Sequence, residues 1–132
     1  MNNPSAVTVT VATDIEIQYH GDGRFSLLGA VDFDNAGQVM AEGQKLFADH
    51  DSVVMDTAAA EMSSTAGLAV MMEWASWCEI RDIELVYEGI HENALAVAEL
   101  NGVTMMLPIS STTTTRGEKT AIRYLESDAN AN

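Results

Sequence analysis

Val7, Val9 and Val11 alternate with threonines, and Ile15, Ile17 and Tyr19 alternate with polar residues. This period of two marks half-buried strands. His20-Gly21-Asp22-Gly23-Arg24 interrupts the pattern, and its glycines can take the positive φ of a tight reversal, so a hairpin returning along Phe25 to Leu28 is predicted. After Gly29 to Phe33, Ala36, Val39, Met40, Gly43, Leu46 and Phe47 recur at three- and four-residue spacing. That spacing predicts a helix with one buried stripe, capped by Asp34 or Asn35. Ser52 to Asp56 is a short apolar run of the interior-strand kind. Leu68, Met71, Met72 and Ala75 return to helical spacing, with Ser63 or Ser64 as the cap. Ile83 to Tyr87 reads as a strand, Glu92 to Leu100 as a helix stopped by Asn101-Gly102, and Val103 to Leu107 as a last short strand before Pro108.

Strands that alternate with helices across short loops imply parallel pairing with helical crossovers, while the amino-terminal hairpin adds an antiparallel portion. The expected fold class is therefore α/β with a mixed sheet. A chain of 132 residues suits one core. The expected organisation is an N-terminal extension over 1–13 carrying an extra strand, a folded domain over 14–108, and a polar, threonine-rich segment over 109–132. Ala121, Ile122 and Leu125 suggest a short helix in that last segment.

Charge narrows the partners. Six Lys+Arg against 20 Asp+Glu leave a formal net charge of −14, which repels phosphate backbones and anionic headgroups, so nucleic acid and direct membrane insertion are not expected. The single Cys78 cannot form an internal bridge, no apolar run reaches the ~20 residues needed to span a bilayer, and Met1 to Pro4 has no signal-peptide pattern. A cytoplasmic setting is expected. His20, His50 and His91 are scattered, and the Asp49-His50-Asp51 cluster follows a helix where exposed charge is ordinary, so no metal is expected. There is no Gly-x-Ser-x-Gly elbow, no second cysteine beside Cys78 and no Walker-type glycine loop. Neither catalysis nor a cofactor is expected, although a fold alone does not exclude an enzyme.

What remains is the turn Ser63-Ser64-Thr65-Ala66-Gly67-Leu68. Its hydroxyls lie at or just before a helix amino terminus, where free amides favour an acceptor oxygen or a phosphate, and plain capping would account for them as well. Preceded by an apolar strand ending in Asp56 and followed by Leu68 to Trp74, this turn resembles that of the STAS family, named for sulfate transporters and anti-sigma-factor antagonists. The resemblance runs from about Ile15 to Pro108 and implies a mixed sheet with an N-terminal hairpin and helices packed mainly on one face. Family members carry Asp-Ser or Asp-Thr, a small residue and Gly-Leu; here Ser64 stands where the Asp is usual, and Thr65 matches the hydroxyl residue phosphorylated in anti-sigma-factor antagonists. Leu68 to Trp74 and the Leu107-Pro108 ending are most similar to the MlaB type, the small subunit attached to the ATPase of a phospholipid ABC transporter that maintains outer-membrane lipid asymmetry. The resemblance thus implies a non-enzymatic bacterial protein that docks on a protein partner through Ser63, Ser64, Thr65, Ala66, Gly67 and Leu68. That partner would be a transporter ATPase or, alternatively, an anti-sigma-factor kinase in a phosphorylation-controlled switch.

Overall fold

The computed structural model describes residues 7–110. Six strands and three helices follow one another as β1 (Val7–Ala12), β2 (Ile15–Gly21), β3 (Arg24–Ala30), α1 (Ala36–Phe47), β4 (Ser52–Asp56), β5 (Ala60–Glu61), α2 (Thr65–Ile80), β6 (Glu84–Glu88) and α3 (Glu92–Leu100). The sheet order is β1-β2-β3-β4-β6, with β5 beside the end of β3. β1, β2 and β3 pair antiparallel; β3 with β4, β4 with β6 and β3 with β5 pair parallel. The sheet is mixed, as the alternating pattern predicts.

The β2–β3 reversal rests on Asp22 and Gly23, both at positive φ, which is what a two-residue hairpin loop compatible with strand twist requires. A Cβ at Gly23 would also lie 2.2 Å from the Ser52 carbonyl oxygen, so the position excludes any side chain. Ile15, Ile17, Phe25, Leu27, Val53, Met55, Leu85 and Tyr87 are buried, while the strand residues between them are not. Because side chains alternate across a strand, the helices cover one face of the sheet.

α1 and α2 pack against each other on that face. Trp74 of α2 is fully buried, its ring 5.2 Å from that of Phe47, and its Nε1–H donates to the Met40 carbonyl at 3.0 Å. Gly43 makes room: a Cβ there would lie 2.4 Å from the indole. Trp77 is half-buried with the Arg81 guanidinium over its ring at 4.1 Å. Tyr87 Oη–H donates to the Met71 carbonyl at 2.8 Å and so ties β6 to α2. Burial raises the tyrosine's pKa, and nearby Cys78 adds to the rise; burial also pushes the Cys78 thiol up to about 11, with Arg81 acting in the opposite sense.

Two local expectations need correction. The last strand expected over Val103 to Leu107 is a 3-10 turn at Thr104–Met106. Gly102 takes positive φ after α3, and the chain then keeps local bonds, Met106 N to Val103 O and Leu107 N to Thr104 O. Extended pairing is reached only past Pro108, where Ile109 bridges Tyr87. The α1 cap also differs. Asn35 occupies the N-cap position, but its side chain accepts from Asp32 N and donates to Ala30 O, while Asp32 Oδ1 accepts from the amides of Asp34 and Asn35. The two-residue β5 was not anticipated, being too short to show a period. The threonine run and the helix expected around Ala121 to Leu125 lie outside the described residues, as does 1–6 of the N-terminal extension.

Candidate functional site

Parallel strands deliver their carboxyl-terminal loops to one end of the sheet, and here those are 31–35, 57–64 and 89–91. The turn before α2 is bound into this end. β5 lays Ala60 and Glu61 beside Gly29 and Ala30, and Val31 N donates to Glu61 O at 3.1 Å. Thr57, buried, places both its amide and its hydroxyl on Glu88 O; Asp56 Oδ1 accepts from Ala58 N at 2.8 Å, and the His91 ring sits 2.8 Å from Ala58 O. The loops thus brace one another and hold the start of α2 at a fixed position.

Each residue of the Ser63–Leu68 turn can be given its place. Ser64 caps α2: its Oγ accepts from Gly67 N at 3.0 Å and donates to Val31 O at 3.0 Å. Half-buried and committed at both ends, it is structural. Ser63 donates to the Glu61 carboxylate. Ala66, Gly67 and Leu68 are buried, and a Cβ on Gly67 would come within 2.7–2.9 Å of the Met62 backbone, so the glycine permits the helix start to lie against that segment. Thr65 alone of the six is exposed, at the first position of the helix. Its hydroxyl stands where free amides and the helix dipole favour negative charge.

Two surface features near it escaped the sequence reading. Phe33 is 80% exposed in the loop whose Val31 carbonyl holds Ser64, and it is flanked by Asp32 and Asp34. The outer side of α2 also forms one wall of a groove of about 850 Å³, with Ala69, Met72 and Glu73 facing Met105, Met106 and Pro108. Met105 and Met106 are 73% and 61% exposed, a consequence of the 3-10 turn replacing the expected strand. Among the described residues no three His, Cys, Asp or Glu side chains come together to hold a metal ion, and no helix is long and apolar enough to cross a membrane.

The sequence model of the family described as "Mlab, STAS domain" matches residues 15–108. None of the curated protein sequences matches significantly. Among solved structures, the unphosphorylated anti-sigma factor antagonist SpoIIAA aligns with a TM-score of 0.58 at 10% identity, covering 86% of this chain and 96% of that one. An anti-sigma factor antagonist from Mycobacterium paratuberculosis aligns with a TM-score of 0.57 at 20% identity, covering 90% of this chain and 95% of that one. At these identities the structural likeness establishes the fold.

Proposed function

The chain belongs to the MlaB-type STAS family, and on that premise we propose that it is a non-enzymatic, cytoplasmic companion subunit. Its partner is the ATPase of an ABC phospholipid transporter, bound through the amino end and outer side of α2. The observation that carries this reading is the division of roles within the turn. Ser64, Ala66, Gly67 and Leu68 face into the domain and fix its shape, while Thr65 is left outward, and Phe33 is exposed in the loop to which Ser64 is bonded. From Thr65 the exposed side of α2 continues through Ala69 and Glu73 to the methionine-lined groove. An aromatic anchor and adaptable methionines next to a small polar centre are the composition of a protein-docking face. Co-expression with a phospholipid-transporter ATPase, followed by sizing, tests the proposal: a stoichiometric complex supports it, and separate elution of the two proteins contradicts it.

A second reading, the partner switch of an anti-sigma-factor antagonist, is favoured by the accessibility of Thr65 to a kinase. Residues 31–35 and 61–68 contain no Lys or Arg, so a phosphate on Thr65 would meet the amides at the start of α2 but no basic side chain in the turn, and would act by setting negative charge on the outward face. Incubation with an active anti-sigma-factor kinase and intact-mass measurement separates the readings: gain of one phosphate at Thr65 supports the switch.

A further inference from the structure

β1 is an edge strand. β2 takes its inner side, from Val7 opposite Tyr19 to Thr10 opposite Glu16, and among the described residues no strand pairs with its outer side. Strand backbones offer N–H and C=O groups to both sides, so the outer side is a template for another strand. Exposed edges are usually guarded by lysine, proline, inward-pointing charge or a β-bulge. β1 reads Val-Thr-Val-Thr-Val-Ala and carries none of the first three; its one such device is the register shift between Thr10 and Ala12, which leaves Val7 to Thr10 in regular pairing with β2.

Its side chains are also incompletely covered. Val7 and Val9 lie opposite Tyr19 and Ile17, on the helix-covered face, yet Val7 is 53% exposed and Val9 and Val11 are only partly covered. Val-Thr-Val-Thr-Val reads the same in both directions about Val9. A two-fold axis through Val9, perpendicular to the sheet, would therefore set Val9 against Val9, Thr8 against Thr10 and Val7 against Val11, with the helices of both copies on the same face. Each valine meets a valine and each threonine a threonine, pairings that favour a sheet, whereas a one-residue slip would oppose valine to threonine.

We propose that β1 pairs antiparallel with β1 of a second copy, centred on Val9, joining two domains into one continuous sheet. The isologous arrangement closes on itself and leaves no further edge at β1. A five-residue pairing is small, so association is weak, with a Kd on the order of 10–100 µM. Each copy carries a net charge of −14, and the dimer is held by backbone bonds and valine contacts, so salt strengthens it by screening repulsion beyond about 8 Å.

Sedimentation equilibrium of the full chain, with Val9→Lys, Val9→Cys and Val7→Cys, tests the pairing. Directly opposed strand residues have Cα atoms about 4.5–5.5 Å apart, within disulfide reach, and Cys78 is 1% exposed, so the introduced thiol is the reactive one. The expected results are a concentration-dependent mass rising toward twice the monomer and further with salt, a monomeric Val9→Lys, and oxidative cross-linking of Val9→Cys at least about tenfold faster than that of Val7→Cys, which faces Val11. Should Val9→Lys lose its circular-dichroism signature, Thr8→Lys at the exposed neighbouring position replaces it. A monomer throughout the concentration series, a dimer that the lysine variants leave intact, or equal cross-linking at positions 7 and 9 overturns the proposal.

Discussion

Ser64 holds the turn before α2 by two hydrogen bonds, and the effect of losing each can be worked out. Ser64→Ala removes the cap on Gly67 N, which costs about 1 kcal/mol, and leaves the Val31 carbonyl without its hydroxyl donor, which costs about 1 kcal/mol more. For a domain of this size about 2 kcal/mol lowers Tm by roughly 8 °C. Ser64→Asp separates the two contributions. A carboxylate still accepts from Gly67 N and suits the helix amino end, but at neutral pH it has no proton to give Val31 O and sets a negative oxygen against that carbonyl. The aspartate variant should therefore be less stable than wild type at pH 7, and the gap should narrow in acid, where a protonated carboxyl can donate. Ser64→Thr keeps both bonds and should melt close to wild type. Thermal and urea unfolding followed by circular dichroism would measure all three. A Ser64→Asp protein as stable as wild type at neutral pH, or a Ser64→Ala loss below about 0.5 kcal/mol, would refute the two-bond account.

Other expected outcomes concern the core and the surface. Gly43→Ala drives a Cβ into the buried Trp74 indole, and the overpacking should cost about 1–3 kcal/mol in urea unfolding despite the better helix propensity of alanine. Cys78 and Tyr87 have folded pKa values raised by burial, so the stability they confer is fully present below their unfolded values. For Cys78 it should be lost as pH climbs from 9 toward 11, by at most about 1.4 kcal/mol per pH unit, and Cys78→Ala should flatten that part of a pH–stability profile. Phe33→Ala, at an exposed site, should leave Tm within about 1 °C yet weaken ATPase binding at least about tenfold by calorimetric titration, as expected of an aromatic anchor.

Much of the fold was legible because its elements carry clear periods. The alternation at Val7 to Tyr19, the spacing of Val39, Gly43 and Phe47, and the Asn101-Gly102 stop each specify one structure. Where the period fails, so does the expectation. Val103 to Leu107 is apolar enough for a strand, but the chain leaving Gly102 satisfies its amides locally and meets β6 only after Pro108. α2 is apolar on nearly every side, so its pattern does not tell the inward Trp74 from the half-covered Trp77. In the site, the Ser64 cap could be read from residue types, whereas the bond from Ser64 to Val31 joins residues 33 apart. The prominence of Phe33 had no local signal beyond its two flanking aspartates, since an isolated ring in a loop has no period to betray which way it points.

The central claim, docking through the outward face at the start of α2, is tested most directly at Thr65. Its side chain is exposed and no other part of the fold leans on it, so Thr65→Glu should unfold at the wild-type temperature. Burying the new charge in the interface should weaken the complex with the transporter ATPase by at least about 2 kcal/mol, roughly thirtyfold, in calorimetric titration. Unchanged affinity of a fully folded Thr65→Glu protein would contradict the account.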